Sequence, residues 1–560
     1  EQTNEALENA FSGSKDHLIS GTMSENSRYW LALTVLENYP SYSKELLKEG
    51  IEHIKKDPKN KPSIGKLIDL AVLFLTDNEL QNYLSTSVND LNMTLLDNSP
   101  RLAILFGEYK KRSLTDAVAI SEINFQLGKA YWDLSHIENT KDNLHRAIAS
   151  YNEALKVYTF EQYPPDYAMT KNNIGTAYWD LSHIENTKYN LYKAIASYNE
   201  ALKVYTLEQY PQDYAGTQNN IGTAYSDLSH IEDTKYNIYN AIASYNEALK
   251  VYTFEQYPQD YARTQNNIGV AYSDLSHIED TKYNLNRAIA SYNEALKVYT
   301  FKQYPQDYAR TQNNIGVAYS GLSHIEDTKY NLNRAIASYN EALKVYTFEQ
   351  YPLYYAGTQN NIGLAYSDLS HIEDTKYNLY KAIASYNEAL KVYTFEQYPL
   401  YYAMTKNNIG LAYSDLSHIE NTKYNLYKAV ASYNEALKVY TFEQYPQDYA
   451  MTQVYIGVAY WDLSHIENSN NNYNLALSSL KKAADAFRIL KSTRDYLDTT
   501  ELRIKVAREF IHNGGDKSVC ESIMNDLKRD LEDPLMQENE QTIDQLRKYI
   551  KDIKEICGIS

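Results

Sequence analysis

Cysteine is almost missing from this chain. Cys520 and Cys557 are the only two in 560 residues, too few for a disulfide framework and in keeping with a reducing compartment. Long apolar runs are absent too. The longest, Leu67 to Leu75, is interrupted by Asp69 and is far too short to cross a bilayer, so no membrane is expected. There is no block of Lys and Arg, and 72 acidic against 54 basic residues leave a formal net charge of -18. Phosphate backbones are gripped mainly by Lys and Arg, which sets nucleic acid aside as a partner and favours basic ones. No signal peptide is visible, and the expected location is cytoplasmic. Position 1 is Glu rather than Met, which leaves processing or excision from a longer protein open.

The motifs of enzymes are missing as well. There is no phosphate-cradling Gly-x-x-x-x-Gly-Lys, no Gly-x-Gly-x-x-Gly, no His-Glu-x-x-His and no Gly-x-Ser-x-Gly. His-Ile-Glu matches half of a zinc-deaminase signature, but its partner Pro-Cys-x-x-Cys is absent. No catalytic residue, cofactor or metal site is expected, and the reading is of a protein that is not an enzyme.

What is present is a repeat. The tag Ser-His-Ile-Glu recurs with histidines at His136, His183, His230, His277, His324, His371, His418 and His465, always 47 apart. A fixed period of this size predicts stacked supersecondary units and a long surface for holding something. In the copy from Tyr261 to Tyr304, Ala262, Ile268, Tyr272 and Leu275 share one helical stripe. Leu285, Ala288, Ile289, Tyr292, Ala295, Leu296 and Tyr299 then follow i, i+3, i+4, i+7 spacing. The polar link between them offers Asp280 or Thr281 as a cap for the second helix; Pro305 ends that helix, and Asp307 is placed to cap the next. Each copy is thus expected to be a helical hairpin, stable only against its neighbours, with Gly269 and Ala288 allowing close approach. The histidines are expected at helix C-termini, bonding free carbonyls rather than metal.

Gly269, Tyr272, Ala288, Tyr292 and Ala295, with Pro305 beyond, resemble the small–large–small pattern of the tetratricopeptide repeat. That repeat usually has 34 residues, so each copy here carries 13 more; the excess is assigned to the link, the helix ends and the tail of the second helix. The phrases Asn-Leu-x-x-Ala-Ile-x-x-Tyr-x-Glu-Ala-Leu-x-Val-Tyr-Thr and Tyr-Ala-x-Thr-Gln-Asn-Asn-Ile-Gly-x-Ala-Tyr are similar to long repeats of prokaryotic signalling proteins. Asn-Asn-Ile-Gly also resembles the cargo-binding repeats of kinesin light chains. The resemblance implies an all-α, right-handed solenoid of stacked hairpins whose first helices line a concave groove. It divides the chain into an N-terminal helical region, 1–118, an eight-repeat array, 119–495, and a C-terminal helical cap, 496–560. Four helices are expected in the first region, at Tyr29 to Glu37, Lys44 to Ile54, Ile64 to Leu75 and Leu102 to Tyr109, with a turn at 57–62. Breaks at Gly514-Gly515 and Asp533-Pro534 divide the last.

The groove is where function is sought. Asparagine pairs recur at Asn172-Asn173, Asn219-Asn220, Asn266-Asn267, Asn313-Asn314, Asn360-Asn361 and Asn407-Asn408. A carboxamide both donates and accepts, so a ladder of them suits an extended peptide backbone; equally, the amides order the stack. One groove register runs Glu122, Met169, Gly216, Arg263, Arg310, Gly357, Met404, Met451. Another holds Trp132, Trp179 and Trp461, with serines between. Arg263 and Arg310 suit a carboxylate or phosphate, and Trp and Met suit apolar anchors. Leu353-Tyr354 and Leu400-Tyr401 replace a Gln-Asp that is expected to cap, and make an apolar edge. The function read from these residues is a non-catalytic scaffold for an unidentified protein or peptide, with self-association left open. The alternative is the ligand-sensing segment of a larger prokaryotic signalling or defence protein carrying a nucleotide-switch ATPase or caspase-like protease.

Overall fold

The computed structural model describes residues 32–33, 36, 42–56, 61–75, 99–467, 470–532 and 540–558. Among the described residues there are 22 helices and no strand. None of these helices is long and apolar enough to cross a membrane. Contacts divide the chain into two units, Glu1–Leu275 and Ser276–Ser560, each taken by itself below.

The first unit opens with α1 (Ser43–Lys56), α2 (Lys61–Leu73) and α3 (Pro100–Lys111). These match three of the expected helices; Tyr29 to Glu37 falls mostly outside the described residues, as do 57–60 of the expected turn. Three hairpins follow: α4 (Ala117–Ser135) with α5 (Thr140–Ala154), α6 (Pro164–Ser182) with α7 (Thr187–Ala201), and α8 (Pro211–Ser229) with α9 (Thr234–Ala248). α10 (Pro258–Leu275) closes the unit. Leu67, Ile68, Leu102 and Phe106 share one core with Ile123, Phe125 and Tyr151, so α1–α3 cover the apolar face that the first hairpin exposes. Arg101 fixes that cover: its guanidinium makes two bonds to Glu138, at 2.6 and 3.2 Å, while its backbone N–H donates to Asp69.

The second unit runs through α11 (Thr281–Ala295) and four hairpins: α12 (Pro305–Ser323) with α13 (Thr328–Ala342), α14 (Pro352–Ser370) with α15 (Thr375–Ala389), α16 (Pro399–Ser417) with α17 (Thr422–Ala436), and α18 (Pro446–Glu467) with α19 (Asn470–Ile489). α20 (Thr493–His512), α21 (Ser518–Glu532) and α22 (Glu540–Cys557) complete it. The expected break at Gly514-Gly515 separates α20 from α21, with Gly514 at φ 81°; Asp533-Pro534 lies outside the described residues.

Burial is shared within and between copies. Leu332 and Ile336 of α13 pack on Ala365 and Leu369 of α14, and Tyr339 packs on Ile362. A second cluster joins the two helices of one hairpin through Ala356, Ala389, Val392 and Tyr393. A hairpin therefore leaves part of its apolar surface uncovered until the next one docks, which is the physical reason such units stack. Ion pairs repeat on the same step, with Lys282–Glu326, Lys329–Glu373, Lys376–Glu420 and Lys423–Glu467 all at 2.5–2.6 Å.

Four local expectations are corrected. The residue before each second helix (Asn139, Asn186, Asp233, Asp280, Asp327, Asp374, Asn421) makes no side-chain cap bond. It stands at φ 42–47°, a left-handed turn that Asn and Asp tolerate best. The link is instead pinned from within the helix, as where Asn284 Nδ2 donates to the Glu279 carbonyl at 2.7 Å. Pro305 does not end a helix either; it is the first residue of α12, where its missing N–H costs nothing. Asp307 lies in that first turn and accepts from Arg310, and the residue at the cap is Tyr304. The extra residues follow the second helix as a turn, such as 343–351, in which Tyr351 N–H bonds the Thr347 carbonyl at 3.0 Å.

The C-terminal end also holds more order than its sequence suggests. Thr493 stands 47 residues after Pro446, and α20–α21 continue the array's helix spacing without its close pairing. The polar seal between them is Arg503 on Asp526 at 2.7 Å. Cys520 and Cys557, which composition left as a pair too few to matter, are brought together as a disulfide that ties α22 to α21, Cα atoms 6.3 Å apart.

Candidate ligand-binding face

Within each unit the first helices lie side by side, and one face of each is left open by the second helices. Helical spacing puts four residues of a copy on that face. In α12 they are Arg310, Asn314, Val317 and Gly321; in α14 they are Gly357, Asn361, Leu364 and Asp368.

The two asparagines of a pair do different things. The first accepts from a threonine on the next first helix: Asn172 from Thr217 at 3.1 Å, Asn219 from Thr264 at 3.1 Å, Asn313 from Thr358 at 3.2 Å, Asn360 from Thr405 at 3.3 Å and Asn407 from Thr452 at 3.2 Å. Asn219, Asn266 and Asn360 are buried. The second asparagine of each pair, Asn173, Asn220, Asn267, Asn314, Asn361 and Asn408, is half-buried on the open face. Behind it a tyrosine of the preceding second helix is packed flat on the backbone glycine, and burial pushes the Tyr151, Tyr198 and Tyr386 phenols well above the usual range.

The tryptophans are tied into the stack. Trp132 Nε1–H donates to Asp180 Oδ2 at 2.6 Å, Trp179 to Asp227 at 2.7 Å and Trp461 to Glu509 at 2.7 Å. Each indole also meets the histidine four residues on, with Trp132 and His136 edge to face at 4.7 Å. His136 and His183 donate from Nδ1 to the Trp132 and Trp179 carbonyls at 3.0 Å, which puts them at helix ends as expected. Among the described residues no three His, Cys, Asp or Glu side chains come together as a metal site. Arg263 and Arg310 are exposed and pair with Asp260 and Asp307, one turn away in the same helix, at 2.7 Å. Tyr354 and Tyr401 are exposed and stack on Tyr346 and Tyr393 at 4.9 Å. Their substitution for aspartate removes a first-turn carboxylate, not a cap.

Sequence reasoning passed over the aspartate register, Asp180, Asp227, Asp368, Asp415 and Asp462. Partial burial raises all five above the usual carboxylate range, against the pull of nearby histidines. The signal was in the text: each stands 48 residues after a Trp or Ser of the register already singled out.

A family model described as tetratricopeptide repeat matches residues 122–159, which span α4, α5 and the turn after them. No curated protein matches the chain by sequence. Among solved structures, BtubC (BKLC) from P. vanneervenii is 22% identical over 44% of this chain and 90% of its own, with a TM-score of 0.33. The apo form of RapI is 15% identical, covering 74% and 98%, with a TM-score of 0.40. The apo quorum sensor NprR from B. thuringiensis is 17% identical, covering 72% and 99%, with a TM-score of 0.37. These likenesses reach no further than the stacking of helical hairpins.

Proposed function

We propose that the chain, a tetratricopeptide-repeat protein, is a non-catalytic scaffold that holds an extended protein or peptide segment on the open face of its first helices. The observation that carries this is the division of labour within each asparagine pair. The first amide is spent on a neighbouring threonine, which fixes the helix rotation; the second is then offered at the same height in later copies, Asn173 being held by the Tyr151 phenol. A repeated donor–acceptor at constant register suits a peptide backbone, whose own groups repeat. Arg263 and Arg310 supply charge where they stand, and the rings of Trp132, Trp179 and Trp461, their N–H groups already used, supply apolar area. We assign the array to 119–495 and the helical ends to 1–118 and 496–560, the latter including a degenerate helix pair. Nucleic acid and membrane are left out of the proposed partners.

The proposed setting is the cytoplasm. There thiol pools hold most cysteines reduced, so a Cys520–Cys557 bridge that survives rapid alkylation of intact cells would count against that setting. The function itself is tested by selecting ligands from a random peptide display on the intact chain. Asn220→Ala, Asn314→Ala, Asn361→Ala and Asn408→Ala together should abolish capture while leaving the helical circular dichroism unchanged. Undiminished capture by the folded variant would remove the amides from the site.

A further inference from the structure

The proposed face is not uniform, and in the second unit its variation is ordered. Asp180 and Asp227, in the first unit, are covered by the indoles of Trp132 and Trp179. In the second unit the residues 48 before Asp368, Asp415 and Asp462 are Ser320, Ser367 and Ser414. These three carboxylates keep the same helical position without an indole. The charged groups around them are imidazoles: His324 and His371 beside Asp368, His371 and His418 beside Asp415, His418 and His465 beside Asp462. The nearest of these that pairs, His371 Nε2, is 3.9 Å from Asp415.

One turn before each carboxylate the chain also changes. Thr176 and Thr223 stand there in α6 and α8; from α10 onward the position is aliphatic, as Val270, Val317, Leu364, Leu411 and Val458. Leu364 is 40% exposed, while Leu411 and Val458 are half-buried in the same row. Another turn back stand Asn361 and Asn408. The row has ends. Gly321 removes the carboxylate before Asp368, and after Asp462 the indole of Trp461 returns to cover Glu509.

We propose that the open face of α14, α16 and α18 binds an extended peptide in which basic and apolar side chains alternate, the amides taking its backbone, Leu364, Leu411 and Val458 its apolar residues, and Asp368, Asp415 and Asp462 its Lys or Arg. This rests on the scaffold reading above and names its ligand class. An extended chain sends successive side chains to opposite sides, so one strand meets an apolar row and an acidic row at once. A half-desolvated carboxylate gains more from a cation than one in bulk water. The indole N–H of Trp132 or Trp179 fills the place that a ligand cation would take, so α6 and α8 are closed to the same peptide.

The test uses the full chain and two short fluorescein-labelled peptides, one alternating Lys with Leu, the other Glu with Leu. Fluorescence anisotropy should show binding of the first and none of the second. Ser320→Trp, Ser367→Trp and Ser414→Trp together install caps the array already uses elsewhere, and should weaken binding by about tenfold or more. Asp368→Asn, Asp415→Asn and Asp462→Asn together should do the same with less change of volume. Equal binding of both peptides, or binding unmoved by both variants, overturns the basic-peptide assignment and leaves the scaffold standing. Binding of neither peptide, together with a display that selects no ligand, overturns both.

Discussion

At the scale of single residues, the stack depends on a ring laid on a glycine. A Cβ at Gly316 would lie 2.5 Å from Tyr339 Cε1, and that tyrosine is 2% exposed with no room to retreat. The expected result of Gly316→Ala is overpacking worth about 1–3 kcal/mol, read as a lower melting temperature, whereas Gly514→Ala should matter through its positive φ and not through contact. A second residue sets a pH dependence. Burial raises Asp69 to about 7, with Arg101 pulling the other way. The folded state therefore favours the protonated carboxyl, and the unfolded chain ionises first as pH rises. Stability of the α1–α3 region should be greatest below the ordinary Asp range and fall as pH climbs toward 7, by at most about 1.4 kcal/mol per pH unit, then level off. Hydrogen exchange of the α2 amides, corrected for intrinsic rates, should show this, and Asp69→Asn should flatten it. A slope that survives the substitution would assign the effect elsewhere.

At the scale of elements, what could be read in the sequence was whatever obeys a local period. Leu285, Ala288, Ile289, Tyr292 and Ala295 mark α11 by spacing alone, and all five are buried. The links were misread because the residues of a cap and of a left-handed turn are the same; Asp280 serves as the second, and only backbone angles distinguish them. In the face, the asparagines were visible as a pattern, but the partner of Asn313, Thr358, lies 45 residues on in the next copy. The C-terminal helix pair was obscured by substitution: Ile504 stands where other copies have glycine, so the Gly–Tyr contact that marks a hairpin is lost there. The cysteine pair was hidden by its separation of 37 residues, which no local pattern spans. That bridge closes a loop holding nearly all of α21 and all of α22, and chain entropy puts its contribution at about 3–4 kcal/mol. Reduction should speed hydrogen exchange in α22 well before α18 or α19 is affected. An intact α22 after reduction would place its stability in the buried Leu546, Tyr549 and Ile553.

At the scale of the molecule, the second unit is a chain of nearest-neighbour contacts. α13 packs on α14, α15 on α16 and α17 on α18 through the same four positions each time, as Leu332, Ile336, Ala365 and Leu369 do at the first of these steps. Ion pairs and Thr–Asn bonds repeat on the same step, so no contact in the array needs a particular number of copies. Removing 352–398 joins Tyr351 to Pro399, the same Tyr-Pro junction that every copy of this unit already makes. The four-position contact is re-formed, with Leu332 and Ile336 meeting Ala412 and Leu416. Helicity per residue should be unchanged and the melting temperature should move by only a few degrees, checked by circular dichroism. The same deletion takes away Asp368 and Leu364, so a peptide that reads the acidic and apolar rows should lose one step of its site while the fold persists. A collapse in melting temperature would mean that stability is set by the array as a whole, and the copies could no longer be treated as interchangeable.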